Sequence, residues 1–120
     1  MSVILVVEDN AIINLAACSD LEDCGFQTIS AQTAEEALGV LQDRDNIAAV
    51  FTDIELPGPT TGLELAHIVR NRWPETFIVV TSGGPAQMIG TLPEGCVFLE
   101  KPYNIDGLRT CFAGMTRQDG

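Results

Sequence analysis

The sequence is poor in basic residues. Its 120 residues include six Lys and Arg against 17 Asp and Glu, which gives a formal net charge of −11 at neutral pH. Such an excess of negative charge repels nucleic-acid phosphates and anionic membrane surfaces. We therefore expect neither nucleic acid nor a membrane among the partners.

Histidine and closely paired cysteines are also scarce. His67 is the only histidine, and no CxxC spacing occurs among Cys18, Cys24, Cys96 and Cys111. A structural zinc site needs clustered Cys and His ligands, and a catalytic histidine needs a partner that orients it. We therefore expect reduced thiols, no zinc site and a surface histidine without a catalytic role.

Long apolar runs and a leader segment are absent as well. No run approaches the roughly 20 apolar residues that span a bilayer, and no charged-then-apolar signal opens the chain. A hydrophobic content of 46% over 120 residues predicts one compact domain. We expect this domain to be cytoplasmic and to comprise residues 1–120.

The stretch from Ile47 to Gly62 organises the rest of the chain. Its apolar run from Ala48 continues through Thr52 into Asp53 and breaks at Pro57. An uninterrupted apolar run bounded by turn residues predicts a strand buried on both faces of a parallel sheet. Asp53 would then lie at the carboxyl edge, where open α/β sheets bind ligands. The alternative is an ordinary turn aspartate.

Similar runs and helical spacings alternate along the chain. Four further strands are predicted, at Val3 to Val7, Phe26 to Ala31, Phe77 to Val80 and Cys96 to Leu99. Helices are predicted after the cap Asn10, after the capping box that Thr33 forms with Glu36, after Gly62, and from Ile105 to Met115. Gly83 to Pro93 can hold at most a short, weak helix. Five strands alternating with five helices predict an α/β, flavodoxin-like, doubly wound parallel five-stranded sheet of order 2-1-3-4-5.

Polar residues stand where these strands end. Because parallel strands share one carboxyl edge, we expect the following residues to converge there: Glu8, Asp9, Asp53, Thr81 and Lys101. Three carboxylates so close repel one another without a cation, and oxygen ligands suit Mg²⁺. Lys101, the only lysine, could neutralise a transferred phosphoryl group, and Thr81 could donate to it. The set fits phosphoryl transfer to a carboxylate nucleophile. Taken singly, each residue also has an ordinary structural explanation.

Four motifs carry a resemblance to a known family. The motifs are VVEDN, FTDIELPG, VVTSG and FLEKPY. In their order and spacing the chain resembles the receiver domain of two-component response regulators over nearly its whole length. The resemblance implies that Asp53 accepts a phosphoryl group from a sensor histidine kinase or a histidine phosphotransfer protein. It further implies three groups of site residues: Mg²⁺ ligands in Glu8, Asp9, Asp53 and the carbonyl of Glu55, a phosphoryl contact in Lys101, and switch residues in Thr81 and Phe98.

The chain departs from the family pattern in several places. Glu8 stands where an aspartate is also common, Pro59 to Thr61 lengthens a loop by one residue, and Phe98 lacks the hydroxyl of the usual tyrosine. Gly83 to Pro93 replaces a sturdy helix, so we predict a short, mobile or displaced segment. Glu55 and Gly83 occupy the positions beside the path of attacking water, and we expect them to influence the lifetime of the phosphoryl group.

Several alternatives stay open at this stage. We expect residues 1–120 to form one receiver domain without an output domain, which would signal through protein contacts as a stand-alone regulator, a relay intermediate or a receiver cut from a hybrid kinase. We expect a phosphoacceptor and not a turnover enzyme, as a monomer or weak homodimer. An aspartyl-phosphate phosphatase, a flavin-binding module or a phosphorylation-independent binding module of the same fold are the other candidates. A phosphatase of that kind usually carries its nucleophile on the first strand.

Overall fold

The computed structural model describes residues 2–83 and 91–119. The five strands are β1 Val3–Val7, β2 Gln27–Ala31, β3 Ile47–Asp53, β4 Phe77–Ser82 and β5 Val97–Glu100. The four helices of the described part are α1 Ala11–Asp23, α2 Ala34–Asp43, α3 Gly62–Arg72 and α4 Ile105–Asp119. The prediction for Gly83 to Pro93 falls mainly on residues 84–90, which lie outside the described residues, so it stays a prediction.

All five strands form one parallel sheet in the order β2-β1-β3-β4-β5. The predicted fold class and strand order are therefore confirmed. All residues of β1 are buried, whereas in β2, at the sheet edge, only Ala31 is fully buried. A strand covered by helices on both faces needs apolar residues at every position, which explains the uninterrupted run VILVV.

Helices cover both faces of the sheet and divide the core into two layers. α2 and α3 pack on one face through residues such as Ala37, Leu41 and Leu65. On the other face, Phe112 of α4 packs with Leu21 of α1. The Phe112 ring contacts three aromatic rings at centroid distances of 5.9 to 6.0 Å: Phe26, Phe51 and Phe77. Such ring pairs each stabilise the core by about 0.5 to 1.5 kcal/mol beyond burial.

Some predicted boundaries were wrong by one or two residues. β2 begins at Gln27, and β5 runs from Val97 to Glu100. β4 continues to Ser82 because Thr81 and Ser82 still pair with β5. Thr81 therefore lies inside a strand and is held by sheet pairing on both sides.

The helix caps agree with the sequence in part. The Asn10 side chain accepts hydrogen bonds from the Ile12 and Ile13 N–H groups, as predicted. Thr33 caps α2, but the Glu36 carboxylate accepts from the Gln32 N–H, so the predicted reciprocal box does not close.

α3 begins with a complete capping box that the sequence analysis overlooked. Thr61 and Glu64 each accept a hydrogen bond from the other's backbone N–H. Among the described residues, no helix is both long and apolar enough to cross a bilayer.

Candidate functional site

The predicted site residues lie at the carboxyl edge of the sheet. Glu8 follows β1, Asp53 ends β3, and Lys101 follows β5. Glu8, Asp9 and Asp53 each offer a carboxylate oxygen, and these oxygens lie within 4.8 Å of one another. The parallel topology thus brings together residues that are up to 93 positions apart.

Lys101 lies between two of these carboxylates. Its ammonium donates a hydrogen bond of 2.8 Å to Asp53 Oδ2 and one of 3.3 Å to Glu8 Oε1. Burial alone would lower the pKa of Lys101, but the hydrogen bond and charge of Asp53, with those of Glu8, outweigh it. The pKa of Lys101 therefore lies above its ordinary value, and the side chain carries a full positive charge at neutral pH.

Glu8 is the most enclosed member of the acidic cluster, with 5% of its surface exposed. Its Oε2 accepts a hydrogen bond of 2.9 Å from the Asn10 N–H. Burial raises the pKa of Glu8, the Asn10 bond lowers it, and the neighbouring Asp9 and Asp53 raise it further, for a net increase. The single positive charge of Lys101 therefore does not balance the negative charge of three carboxylates, and the site favours a second cation.

Asp53 is positioned by its own turn and by β4. Its Oδ1 accepts from the Glu55 N–H at 3.0 Å, and the Ile54 N–H donates to the Thr81 carbonyl at 2.9 Å. Thr81 pairs with Asp53 in the sheet register. Its Oγ1 is buried and has no hydrogen-bond partner among the described residues. A buried hydroxyl without a partner is costly, which favours a group that binds beside Asp53.

Gly62 is a site residue that the sequence analysis did not identify. Its N–H donates to the Ile54 carbonyl at 2.9 Å, so the first residue of α3 lies against the end of β3. A Cβ atom at Gly62 would overlap the Asp53 carbonyl oxygen and lie 2.7 Å from its carbon. Only glycine permits this approach, and the signal in the sequence was the TTG that follows the proline-rich loop.

The other predicted residues lie at or near the same edge. The Glu55 side chain is exposed, and Phe98 is half-buried in β5 opposite Val80. Gly83 lines an open cleft with Lys101, and a Cβ atom added there would meet nothing within 4 Å. Three more residues line this cleft: Ile13, Pro102 and Tyr103. The Lys101–Pro102 peptide bond is cis.

α1 has an arrangement that sequence periodicity did not reveal. Asn14 is buried, whereas Ile12 and Leu15 expose 81% and 72% of their surface and Ile13 exposes 40%. Apolar residues therefore project outwards on this helix, while the polar Asn14 is buried. The helix is apolar on both sides, so its sequence gives no signal for which face is buried.

The arrangement suits chemistry on a phosphoryl group. The Asp53 carboxylate and the Lys101 ammonium group are hydrogen-bonded at this edge, with two further carboxylates beside them. The buried Thr81 hydroxyl, without a partner in the described part of the chain, belongs to the residue that pairs with Asp53 in the sheet. An electrophile with several anionic oxygens could be bound there by the lysine, the hydroxyl and a hard cation, with Asp53 as nucleophile.

Comparisons with known proteins agree with this geometry. Residues 4–113 match the family described as "Response regulator receiver domain". The nitrogen assimilation regulatory protein NtrX of Azorhizobium caulinodans is 36% identical over 113 residues, which cover 88% of this chain and 24% of NtrX. The photosynthetic apparatus regulatory protein RegA of Rhodobacter capsulatus is 38% identical over 110 residues, which cover 89% of this chain and 58% of RegA. The chain therefore spans less than two thirds of either relative.

Solved structures share the whole fold. A response regulator receiver protein from Sinorhizobium medicae WSM419 superposes with a TM-score of 0.88 at 29% identity, covering 99% of this chain and 97% of that one. The response regulator TrrA from Thermotoga maritima, in complex with Mg²⁺ and BeF, gives a TM-score of 0.86 at 27% identity, covering 96% and 98%. The chain thus belongs to the response regulator receiver domains of two-component signalling systems.

Proposed function

We propose that Asp53 accepts a phosphoryl group from the phosphohistidine of a sensor histidine kinase or histidine phosphotransfer protein. One observation carries this proposal: the Asp53 carboxylate binds the only lysine of the sequence beside two more carboxylates. The residue paired with Asp53 in the sheet, Thr81, has a buried hydroxyl with no hydrogen-bond partner among residues 2–83 and 91–119. Ordinary surface ion pairs do not need a buried hydroxyl kept free beside them.

The residues present fit a divalent cation. Glu8, Asp9 and Asp53 would hold Mg²⁺ together with the backbone carbonyl of Glu55, since oxygen ligands and a half-open site suit that ion. When bound, the ion would offset negative charge on the phosphoryl oxygens. Support comes from the mutual proximity of the three carboxylates and from the Mg²⁺ present in the related TrrA complex.

The chemistry of the step follows from these groups. An oxygen of Asp53 forms a bond to phosphorus while the bond from phosphorus to the donor imidazole nitrogen breaks, and its electron pair stays on that nitrogen. The Lys101 ammonium, which now binds Asp53, would move to a phosphoryl oxygen as the carboxylate charge is consumed. The Thr81 hydroxyl would donate to another phosphoryl oxygen. No general base is needed, because an ionised carboxylate carries no proton to lose.

The donor would approach over α1. This helix exposes Ile12, Ile13 and Leu15, and Ile13 lines the same cleft as Lys101. A histidine that reaches Asp53 must belong to a protein seated on this edge, and exposed apolar side chains favour protein contacts. Replacing Ile12 and Leu15 by Ser should therefore slow transfer from a phosphohistidine donor but leave phosphorylation by acetyl phosphate unchanged. Equal slowing of both reactions would contradict this docking face.

Output would pass through protein contacts in the cytoplasm. Thr81 and Phe98 would rearrange when the phosphoryl group binds, and this would change the surface formed by β5 and α4. Because Phe98 has no hydroxyl, the change would rest on the position of its ring and not on a hydrogen bond. A stand-alone regulator and a receiver domain within a longer protein both suit this role.

The deciding experiment is incubation with acetyl phosphate and Mg²⁺, followed by intact mass spectrometry. We expect one added phosphoryl group, lost in Asp53→Asn and kept in Asp43→Asn, a control at an exposed carboxylate at the end of α2. An unmodified wild-type protein, or an Asp53→Asn variant modified as fully, would refute the proposal. Sustained turnover of unrelated phosphate esters would show a phosphatase instead of a phosphoacceptor.

A further inference from the structure

Asn14 is a buried polar residue on the inner face of α1. It exposes 4% of its surface and lies on the same face as Ala17, Cys18 and Leu21. A buried amide is tolerated only where its donors and acceptor find partners. The partners of Asn14 therefore indicate why a polar side chain stands at this position.

Every hydrogen-bonding group of the Asn14 amide is used. Its Nδ2 donates to the carbonyl of Glu8 at 3.1 Å and to the carbonyl of Ala31 at 3.0 Å. Its Oδ1 accepts from the Cys18 thiol at 3.5 Å. Two carbonyl acceptors on one side require the NH₂ end of the amide to face them, which sets its orientation.

These bonds close a ring around the backbone of Glu8. The Glu8 N–H donates to the Ala31 carbonyl at 3.0 Å, and the same carbonyl accepts from Asn14. Glu8 lies beyond the last residue of β1, and among the bonds of the described turns and loops no backbone N–H donates to its carbonyl group. Asn14 supplies the missing donor and joins α1 to the ends of β1 and β2 at the residue that carries the most enclosed carboxylate.

We propose that Asn14 is a positioning residue for the cation site. It holds the Glu8 backbone so that the carboxylate faces Asp9 and Asp53, and it does so without contacting the cation or the phosphoryl group. This inference rests on the proposed Mg²⁺-dependent phosphoacceptor function. Residues that orient metal ligands from behind typically change metal affinity by about 10- to 100-fold when replaced.

Asn14→Leu tests the proposal, because leucine keeps the branched shape and the number of heavy atoms of asparagine but removes both donated hydrogen bonds and the accepted one. We expect the Mg²⁺ dissociation constant, measured by isothermal titration calorimetry on fully folded protein, to rise about tenfold. The Mg²⁺ concentration for half-maximal phosphorylation by acetyl phosphate should rise by the same factor. The rate at saturating Mg²⁺ should stay within about threefold of wild type, because Asp53, Lys101 and Thr81 are untouched.

Leu21→Ala is the matched control, since Leu21 is buried on the same helix face at the end remote from the site. This variant should lose stability yet bind Mg²⁺ like the wild type. If Asn14→Leu does not fold, Asn14→Ser replaces it, because serine is smaller and leaves room for water. Unchanged Mg²⁺ affinity in the folded Asn14 variant, or equal weakening in Leu21→Ala, would overturn the proposal. A wild type that binds no Mg²⁺ would overturn the proposed function itself.

Discussion

Lys101 donates a 2.8 Å hydrogen bond to Asp53, which lies 48 positions earlier in the chain. The pair joins the end of β3 to the residue after β5, with β4 between them. About a quarter of the lysine side chain, 25%, contacts solvent, whereas 9% of the aspartate side chain does. The ammonium group therefore serves both the stability of the resting domain and the proposed reaction.

Replacing Lys101 by Met should lower the free energy of unfolding in Mg²⁺-free buffer. Three neighbouring carboxylates would lose their cation, and we expect a loss of about 1 to 2 kcal/mol, less than for a fully enclosed pair. Urea denaturation measures this change, and added Mg²⁺ should restore part of it. Arg109→Met is the control, because the Arg109–Asp106 pair is exposed on both sides and contributes little. Equal losses in the two variants would contradict the prediction.

Because the pKa of Glu8 is raised in the folded domain, we expect Glu8→Gln to increase the stability of the domain by an amount that depends on pH. A folded-state pKa above the ordinary 4.5 means that Glu8 favours the fold when protonated, at pH values below 4.5. This contribution is lost as the pH rises through the folded-state pKa. In Mg²⁺-free buffer, Glu8→Gln should therefore be more stable than wild type at pH 7, and the difference should shrink towards pH 4.5. Thermal unfolding at both pH values measures this difference in stability. A difference that grows on acidification would contradict the raised pKa of Glu8.

Thr81→Val should stabilise the resting domain and impair phosphorylation. The valine removes a buried hydroxyl that has no partner within the described residues, and we expect a gain of about 1 kcal/mol in the free energy of unfolding. Phosphorylation by acetyl phosphate should be about tenfold slower, since the hydroxyl no longer donates to a charged oxygen.

Thr52→Val provides the comparison for Thr81. The Thr52 hydroxyl is equally buried but donates to the Asp53 carbonyl at 2.9 Å, so its removal should lower stability. If both valine variants change stability in the same direction, the unpartnered hydroxyl is not the cause.

Gly62→Ala should disrupt the end of β3. The added methyl group overlaps the Asp53 backbone, so we expect a loss of about 2 kcal/mol in stability together with impaired phosphorylation. Gly39→Ala is the opposite case, because Gly39 lies within α2 and a Cβ atom there meets nothing within 4 Å. It should gain about 0.5 to 1 kcal/mol from the lower entropy of the unfolded chain. Chemical denaturation compares them, and a stable, fully phosphorylated Gly62→Ala would refute this account.

The parallel sheet and the residues that meet at its carboxyl edge could be predicted from the sequence. Strands buried on both faces leave apolar runs that are easy to find, and parallel topology then assigns Asp53 and Lys101 to one edge. Their convergence needs no knowledge of side-chain packing, which explains why it could be predicted from strand ends alone.

The buried face of α1 and the close approach of Gly62 to β3 depend on tertiary packing and could not be predicted from the sequence. The apolar residues of α1 stand on both sides of the helix. The buried side is the one where Ala17 and Leu21 pack in the core and where Asn14 binds the carbonyl groups of Glu8 and Ala31. The close approach of Gly62 to β3 likewise depends on the path of a loop, which local spacing does not describe. Both features arise from contacts between distant segments.

The strand order has a consequence for the synthesis of the protein. Glu8 emerges from the ribosome long before Lys101, and the ion pair across 93 positions forms only after β5 has joined β4 at the far edge. Contacts between residues so distant in sequence carry a cost in loop-closure entropy and slow folding. A nascent or partly folded chain carries Asp53 without its lysine, so under the proposed function we expect phosphorylation only in molecules that have completed the sheet.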